Sequence, residues 1–292
     1  MNPEKGRQRC QTASGIKRVL AGSLAERASA CAHQACTTVD RQTLQAARLP
    51  DSLETQRASV YTARQQFPAG LRQPEGSFRF SMDALLLARF GLECLSKISG
   101  DRHALRFADL GTGCGVVGLA MLLWGAESMY GVGIEREPVL AAAARDNARR
   151  LGLLQRYAVV CRDVAEIPSL TGMSRRMRLV LANPPWLLRQ RCRVSPAPLR
   201  RAALSGDEGT FPCFMEAAAA LLEEDGRLAL VTAVERRDDA LTAMRNVGLF
   251  PYRLRLIETR AGSPACRMLL EGGLRPGLCH EETQVAHDGL RC

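Results

Sequence analysis

Apolar and polar positions alternate in blocks along the central part of the chain, and the lengths of these blocks predict strands and helices in turn. Short apolar runs bounded by turn residues are typical of buried strands, and longer stretches with apolar positions three and four apart are typical of helices. Strands are expected at residues 105–110, 129–134, 157–161, 177–182, 227–234, 252–258 and 266–270. Helices are expected at residues 116–124, 138–151, 211–222 and 235–246. This alternation predicts an α/β domain with an open sheet.

Composition divides the chain into three parts. Residues 1–73 are rich in Ala, Gln, Arg, Ser and Thr and contain few large apolar side chains, so we expect a weakly structured N-terminal extension. Residues 74–272 contain the alternating elements and form the predicted domain, whose last two strands are expected to pair. Residues 273–292 are expected to be a loop or a disordered tail.

A glycine-rich stretch follows the first predicted strand. Asp109 lies at the strand end, and Gly111, Gly113 and Gly115 follow before the next helix. Glycines let the backbone approach a ligand closely. Gly113, Gly115 and Gly118 also fit the G-x-G-x-x-G pattern of dinucleotide sites. However, a carboxylate here repels a pyrophosphate and attracts a cationic ligand that carries an amino group and a sulfonium. The alternative is a tight turn without a ligand.

Acidic residues follow the second and third predicted strands. Glu135 is placed to bind both hydroxyls of a ribose, as acids at this position do in doubly wound sheets. Asp163 is placed to accept a hydrogen bond from an adenine amino group. Either acid alone is weak evidence for a ligand site. Together the two acids follow successive predicted strands, at the sheet edge where open α/β sheets bind ligands.

The fourth predicted strand runs into Asn183-Pro184-Pro185-Trp186. The prolines fix φ and remove two backbone donors, so the corner is rigid and rich in hydrogen-bond acceptors. The Asn183 side-chain oxygen and a nearby carbonyl can each accept one N–H of a flat NH2 group, and the Trp186 indole can stack on the ring that carries it. Pro-Pro is also a common loop breaker; the glycine loop upstream favours the functional interpretation.

Together these motifs resemble the class I S-adenosylmethionine-dependent methyltransferases. The resemblance covers about residues 74–272 and implies a Rossmann-like seven-stranded sheet with a C-terminal antiparallel hairpin. It implies that Asp109 and the glycines hold the methionine part of S-adenosylmethionine, that Glu135 binds the ribose and that Asp163 binds the adenine. The Asn-Pro-Pro-aromatic box of this group marks methylation of an amino nitrogen: adenine N6, cytosine N4, guanine N2 or glutamine N5. Asn183, Pro184, Pro185 and Trp186 would then form the catalytic corner.

Two further stretches bear on the substrate. Residues 76–88, which include Phe78, Phe80 and Asp83, resemble the segment before the glycine strand in the tRNA (adenine-N6)-methyltransferases, which modify a purine beside the anticodon. Residues 203–209 instead partly resemble the glutamine-N5 methyltransferases that act on release factors. We expect N6 of an adenine in tRNA. The alternatives are a release-factor glutamine, a guanine N2 in rRNA, and a non-catalytic RNA-binding protein with the same fold.

Charge and composition limit the partners. The chain has 292 residues and a formal net charge of +10. No Asp or Glu occurs from Ile167 to Gly206, and this span contains five arginines placed to contact RNA phosphates: Arg189, Arg191, Arg193, Arg200 and Arg201. A generally arginine-rich composition is the alternative explanation. We expect a cytoplasmic protein without a membrane segment, secretory signal or metal site, because no apolar run reaches ~20 residues and the eleven cysteines form no C-x-x-C pair.

Overall fold

The structure, a computed structural model, describes residues 67–75, 77, 80–98, 105–169, 175–185, 187–188, 205–206 and 210–286. Its helices are α1 (Met82–Ser96), α2 (Val116–Trp124), α3 (Pro138–Arg150), α4 (Thr210–Leu221) and α5 (Arg237–Asn246). Short 3₁₀ helices span Val164–Ser169 and Val234–Arg236. The strands are β1 (Leu105–Leu110), β2 (Met129–Glu135), β3 (Tyr157–Cys161), β4 (Met177–Ala182), β5 (Leu187–Leu188), β6 (Ser205–Gly206), β7 (Leu222–Ala233), β8 (Phe250–Glu258), β9 (Arg267–Gly273) and β10 (His280–Val285).

Eight of these strands form one sheet in the order β3-β2-β1-β4-β7-β9-β8-β10. The first five run parallel, β9 is antiparallel to both of its neighbours, and β10 is parallel to β8. The expected class I methyltransferase sheet with its antiparallel β8–β9 hairpin is therefore confirmed. The two-residue strands β5 and β6 form a separate parallel pair.

Helices cover both faces of the sheet. Leu179 and Leu181 of β4 belong to one buried apolar cluster with side chains of α1, α2 and α3. Because side chains alternate along a strand, Val180 and Ala182 face the opposite side, where α4 contacts β4 and α5. Strands buried on both faces are read as continuous apolar runs, which is why β1 and β4 were recognisable in the sequence.

The eighth strand corrects the expectation of a tail after residue 272. β10 lies at the edge of the sheet, and its ladder pairs His280 with Arg253 and Val285 with Glu258. The strand is mostly exposed and has no apolar alternation, so the sequence carries no strand signal there. Backbone pairing and surface ion pairs hold it, such as Arg255 Nε with Glu282 at 2.6 Å. Residues 280–285 therefore form a strand, and the sheet has eight strands where seven were expected.

The domain also begins earlier than residue 74. The Phe67 ring packs edge-on against Trp124 at the end of α2, with the ring centroids 5.9 Å apart. Two hydrogen bonds join the Arg72 backbone to the Asn147 side chain. Residues 67–73 therefore belong to the domain. The expectation of a weakly structured extension otherwise falls on residues 1–66, which lie outside the described residues. Within the described ranges, no helix is long and apolar enough to cross a membrane.

Two elements show local details at their starts. β7 begins at Leu222, before the expected start at residue 227, and its pairing with β4 shifts between Met177 and Leu179. Ser81 occupies the N-cap position of α1, but its hydroxyl bonds to the Asp83 carboxylate at 2.9 Å instead of capping a backbone N–H.

Candidate active site

The register of the central strands brings the proposed site residues to one edge of the sheet. Leu110, the last residue of β1, pairs with Ile134 of β2 and with Ala182 of β4. The next residues along the chain are Gly111, Glu135 and Asn183, so they leave neighbouring strands that are ~4.8 Å apart. This is the carboxyl edge of the parallel strands, where open α/β sheets bind their ligands.

The loop between β1 and α2 has a conformation that requires glycine. Gly111, Gly113 and Gly115 have φ values of 66°, 59° and 92°, in the left-handed region that side chains disfavour. Two backbone hydrogen bonds fix the loop: Thr112 N to Ile134 O at 3.0 Å and Gly115 N to Thr112 O at 2.9 Å. A Cβ atom built on Gly113 would meet nothing within 4 Å, so the loop borders open space there. A ligand can therefore approach the backbone closely at this glycine.

Asp109 lies beneath this loop and not at its surface. The side chain is buried, and Oδ2 accepts hydrogen bonds from Thr112 Oγ1 at 2.6 Å and from Gly118 N at 3.0 Å. Tyr157 donates a longer bond to the same oxygen at 3.4 Å. Burial raises the pKa of Asp109 to about 6, although these hydrogen bonds act in the opposite direction. Asp109 was expected to contact the ligand, whereas in the structure its hydrogen bonds hold the glycine loop and the start of α2.

Tyr157 supports the loop from the start of β3. Its ring is fully buried and stacks on Phe107, and its hydroxyl lies 2.7 Å from Thr112 Oγ1. A Cβ atom on Gly118 or Gly133 would collide with the ring or the hydroxyl of Tyr157. The tyrosine thus reaches the underside of the loop only because both neighbouring positions are glycine.

Glu135 connects β2 to the loop. Its Oε2 accepts the Gly113 N–H at 2.9 Å, and its Oε1 accepts the Glu137 N–H at 2.9 Å. Burial raises the pKa of this carboxyl against the effect of the two backbone donors. A carboxylate has about four acceptor positions, so Glu135 retains capacity for further hydrogen-bond donors.

Asp163 lies beyond the end of β3 and is partly exposed. Its Oδ1 accepts the Ala165 N–H at 3.0 Å, at the start of the 3₁₀ helix. Arg136 Nη1 lies 3.8 Å from Oδ2, a weak and exposed ion pair. Asp163 and Glu135 follow strands that pair with each other, and this arrangement places both acids on the same side of the glycine loop.

The Asn183-Pro184-Pro185 corner begins directly after β4. Asn183 is half-buried, Pro184 is buried and Pro185 is half-buried. The hydrogen bonds found among the described residues include none to the Asn183 side chain. Trp186 lies outside the described residues. The two residues of β5 follow Trp186 and pair with the two residues of β6. Ser205 and Gly206 therefore lie close to the end of the corner.

The remaining candidates divide between described and undescribed residues. The five arginines of the proposed RNA rim all lie outside the described residues: Arg189, Arg191, Arg193, Arg200 and Arg201. Their stretch is bounded by the paired strands β5 and β6. Phe78 is also outside, whereas Phe80 packs against the apolar cluster. Asp83 is buried and accepts a hydrogen bond from Arg267 Nε at 3.2 Å, which ties the start of α1 to the start of β9.

Curated relatives share most of this domain. A tRNA1(Val) (adenine(37)-N6)-methyltransferase from Porphyromonas gingivalis strain W83 is 30% identical over 199 residues, which cover 67% of this chain and 74% of the relative. The protein of the same name from Haemophilus influenzae strain PittEE is 23% identical over 206 residues, 67% of this chain and 85% of the relative. A comparison with models of protein families found no match. The chain belongs to the tRNA1(Val) (adenine(37)-N6)-methyltransferase family.

A solved structure agrees with this fold. A protein from Agrobacterium tumefaciens, described as a predicted O-methyltransferase, superposes with a TM-score of 0.50 and 23% identity, over 70% of this chain and 85% of that one. The chain is a methyltransferase by its membership of the family named above, and the cofactor expected from the sequence is S-adenosylmethionine.

The residues at the carboxyl edge of the methyltransferase sheet fit this cofactor. The three left-handed glycines leave open space above Gly113. Among the described residues, the hydrogen bonds to Asp109 and Glu135 come only from backbone N–H groups and hydroxyls. The two carboxylates therefore keep an excess of negative charge, which suits an amino group and a sulfonium and disfavours a pyrophosphate.

Three buried polar residues of this site were not found from the sequence. Thr112 and Tyr157 support Asp109, and Asn147 on α3 donates a hydrogen bond to the Cys114 carbonyl at 2.9 Å. A tyrosine inside an apolar strand signals that its hydroxyl needs a partner. An asparagine in an alanine-rich helix gives a similar signal, because buried amides are hydrogen-bonded.

Proposed function

We propose that this methyltransferase transfers a methyl group to the exocyclic N6 of an adenine in tRNA, at position 37, which the names of its relatives specify. The observation that carries the proposal is the Asn183-Pro184-Pro185 corner, which follows β4 next to the glycine loop because Ala182 pairs with Leu110. The corner offers acceptors and no proline N–H, which suits an amino group as the methyl acceptor.

The proposed roles follow from the order of the residues along the sheet edge. Gly111, Gly113 and Gly115 would border the methionine part, Glu135 would accept the ribose hydroxyls, and Asp163 would accept the adenine amino group of the cofactor. Asp109 would act indirectly, because its hydrogen bonds fix Thr112 and the first turn of α2. When bound, S-adenosylmethionine supplies a methyl group that is already activated by its positively charged sulfur.

Asn183 would prepare the accepting nitrogen. The lone pair of adenine N6 is conjugated with the ring and is therefore a poor nucleophile. If the Asn183 Oδ1 and the Pro184 carbonyl each accept one N–H, the nitrogen becomes more pyramidal and its lone pair points towards the methyl group. Orientation and electrostatic stabilisation of this kind contribute several kcal/mol. No strong base is needed, since the nitrogen becomes acidic as the new bond forms.

The RNA part of the proposal rests on charge. The stretch between β5 and β6 contains no Asp or Glu and carries five arginines: Arg189, Arg191, Arg193, Arg200 and Arg201. Because β5 and β6 pair with each other and β5 follows the corner closely, both ends of this stretch lie near the corner. Cationic side chains there would contact phosphates, whose role is to fix affinity and register while the pocket selects the base. An adenine within folded tRNA would be turned out of its stack to reach Asn183, with Trp186 stacking on it.

One experiment separates the candidate substrates. The purified protein is incubated with S-adenosylmethionine labelled in the methyl group and with separate tRNA, rRNA and release-factor fractions. We expect label in tRNA, recovered as N6-methyladenosine after digestion. Label in release factor alone or in rRNA guanine alone would refute the tRNA assignment, and absence of transfer to every fraction would favour an RNA-binding role. The variant Asn183→Ala serves as the matched negative control.

A further inference from the structure

Asn147 is a fully buried amide in the third turn of α3, and all its partners are backbone groups. Its Nδ2 donates to the Cys114 carbonyl at 2.9 Å and to the Arg72 carbonyl at 3.0 Å. Its Oδ1 accepts the Arg72 N–H at 2.7 Å. The side chain has 0% exposure, so water cannot replace these bonds. An amide offers two donors and one acceptor oxygen, and Asn147 uses all three groups to join two distant parts of the chain.

The first of these parts is the glycine loop. Cys114 lies between Gly113 and Gly115, and its carbonyl belongs to the peptide that leads into Gly115. The N–H of the same peptide donates to the Thr112 carbonyl at 2.9 Å. Asn147 and Thr112 therefore hold the two ends of one peptide group, and rotation of that peptide would break both bonds. Ala144, one turn earlier on α3, lies where a Cβ on Gly115 would touch it. Helix α3 thus packs against the glycine loop through Ala144 and Asn147.

The second part is the entry segment, which we define as residues 67–75. Its beginning packs through Phe67 on Trp124 of α2. Its Arg72 guanidinium forms an ion pair with Asp146 of α3 at 2.5 Å. Further along, the Gln73 side chain accepts the Phe80 N–H at 3.2 Å, just before α1. The entry segment is therefore attached to α2, which begins at the end of the glycine loop, and to α3, which packs against the loop.

We propose that Asn147 is a positioning residue for the cofactor loop and couples the loop to the entry segment. The inference relies on the proposed role of the glycines in cofactor binding. Because one amide satisfies both backbones, the correct peptide orientation at Cys114 depends on the presence of residues 67–75. The loop is then pre-organised for S-adenosylmethionine, so that less binding energy is lost in ordering it. Asn147 acts through the loop and does not contact the substrate.

The variant Asn147→Asp tests this coupling, because it keeps the shape of the side chain and replaces the donor that faces two carbonyls with an acceptor. We expect the Kd of S-adenosylhomocysteine, measured by calorimetry, to rise at least tenfold. The KM for S-adenosylmethionine should rise likewise, while kcat at saturating cofactor and the KM for tRNA stay within about twofold. Hydrogen exchange should accelerate together in residues 67–75 and 111–118.

Two controls distinguish positioning from general stability. Leu153→Ala removes a buried side chain just after α3 and should lower the Tm without changing the Kd. Asp146→Ala removes the surface ion pairs to Arg72 and Arg149 but none of the bonds made by Asn147, and should leave the Kd unchanged. Unchanged affinity in Asn147→Asp, or an equal loss in Leu153→Ala at matched Tm, would overturn the inference.

A measurement on the wild type keeps the inference testable if Asn147→Asp does not fold. Saturation with S-adenosylhomocysteine should slow amide exchange in residues 67–75 as well as in the loop, but not in the edge strand β10. Protection of the loop alone would contradict the coupling. A wild type that does not bind S-adenosylhomocysteine would overturn both the inference and the proposed function, whereas normal binding by both wild type and Asn147→Asp would overturn the inference only.

Discussion

The buried Asp109 carboxylate should make the stability of the protein depend on pH in an unusual direction. Most native carboxylates have lowered pKa values and stabilise the fold as pH rises. Burial raises the pKa of Asp109 from its ordinary value of 3.8 to about 6. The unfolded chain therefore loses this proton at a lower pH than the folded protein does. Between pH 4 and pH 6 the folded state binds more protons, so ionisation of Asp109 destabilises the fold as pH rises.

The size of this effect follows from the two pKa values. A tenfold change in an acid dissociation constant corresponds to 1.36 kcal/mol, so the ionised Asp109 should cost about 3 kcal/mol of stability at neutral pH relative to strongly acidic pH, and about 2 kcal/mol of this change falls between pH 4 and pH 7. The variant Asp109→Asn removes the titration and keeps the shape: its Oδ1 can accept from Thr112 and Gly118 as the carboxylate does. We expect Asp109→Asn to gain about 2 kcal/mol relative to the wild type between pH 4 and pH 7.

The assay is urea unfolding of both proteins at half-unit steps of pH, without cofactor, followed by circular dichroism. Only the difference between the two curves is interpreted, because other carboxylates titrate in both proteins. Asp146→Asn is the matched control of opposite sign. Arg149 and Arg72 hold the pKa of partly exposed Asp146 below its ordinary value, so the stability that this carboxylate adds is present above about pH 4 and is lost at lower pH. The stability difference between the wild type and Asp146→Asn should therefore stay nearly constant from pH 4 to pH 7 and shrink below pH 4. Parallel curves for wild type and Asp109→Asn would refute the argument.

Three further predictions concern the reaction. Asn183→Ala should lower turnover about 100-fold or more, since the lost contact acts on the reacting nitrogen, and calorimetry should find nearly unchanged affinity for S-adenosylhomocysteine; near-normal turnover would remove Asn183 from the mechanism. Glu135→Gln should weaken S-adenosylhomocysteine binding about tenfold, because charged hydrogen bonds to the ribose are lost; equal Kd values would argue against ribose binding. Joint replacement of Arg191 and Arg193 by alanine should raise the KM for tRNA at constant kcat and flatten the slope of log affinity against log salt by about one per lost contact; an unchanged slope would exclude both arginines from phosphate contact.

The strands of the central sheet were predictable because each is an apolar run between turn residues. β1 and β4 in the middle of the sheet and the partly buried edge strand β3 have the expected bounds, since such a run has few other interpretations. β10 was missed because its residues are polar and its position depends on pairing with β8. The boundary at residue 74 was misplaced for a similar reason: the hydrogen bonds between the Arg72 backbone and Asn147 leave no trace in composition.

The candidate site shows the same division. Motif order along the chain placed Gly111, Glu135 and Asn183 at one edge, because parallel strands deliver their carboxyl ends together. The orientation of Asp109 could not be predicted from the sequence, since it depends on the conformation of the glycine loop, which brings Thr112 and Gly118 to the carboxylate, and on Tyr157, 48 residues away along the chain. A carboxylate at a strand end can face either the ligand or the underside of its own loop, and contacts that form only in the folded chain decide which. The roles of the corner and of the arginines stay predictions.

The fit of Tyr157 beneath the glycine loop also restricts how the sequence can diverge. A Cβ at Gly118 or Gly133 would occupy the same space as the tyrosine, so neither glycine can be exchanged while Tyr157 is present. A Cβ at Gly133 would in addition lie 2.7 Å from Thr112 Cγ2, so a smaller residue in place of Tyr157 would relieve only part of the restriction at Gly133. The sites in β3, α2 and β2 should therefore evolve as one linked set, in which Thr112 of the glycine loop is a fourth member and has to change or shift before Gly133 can be exchanged.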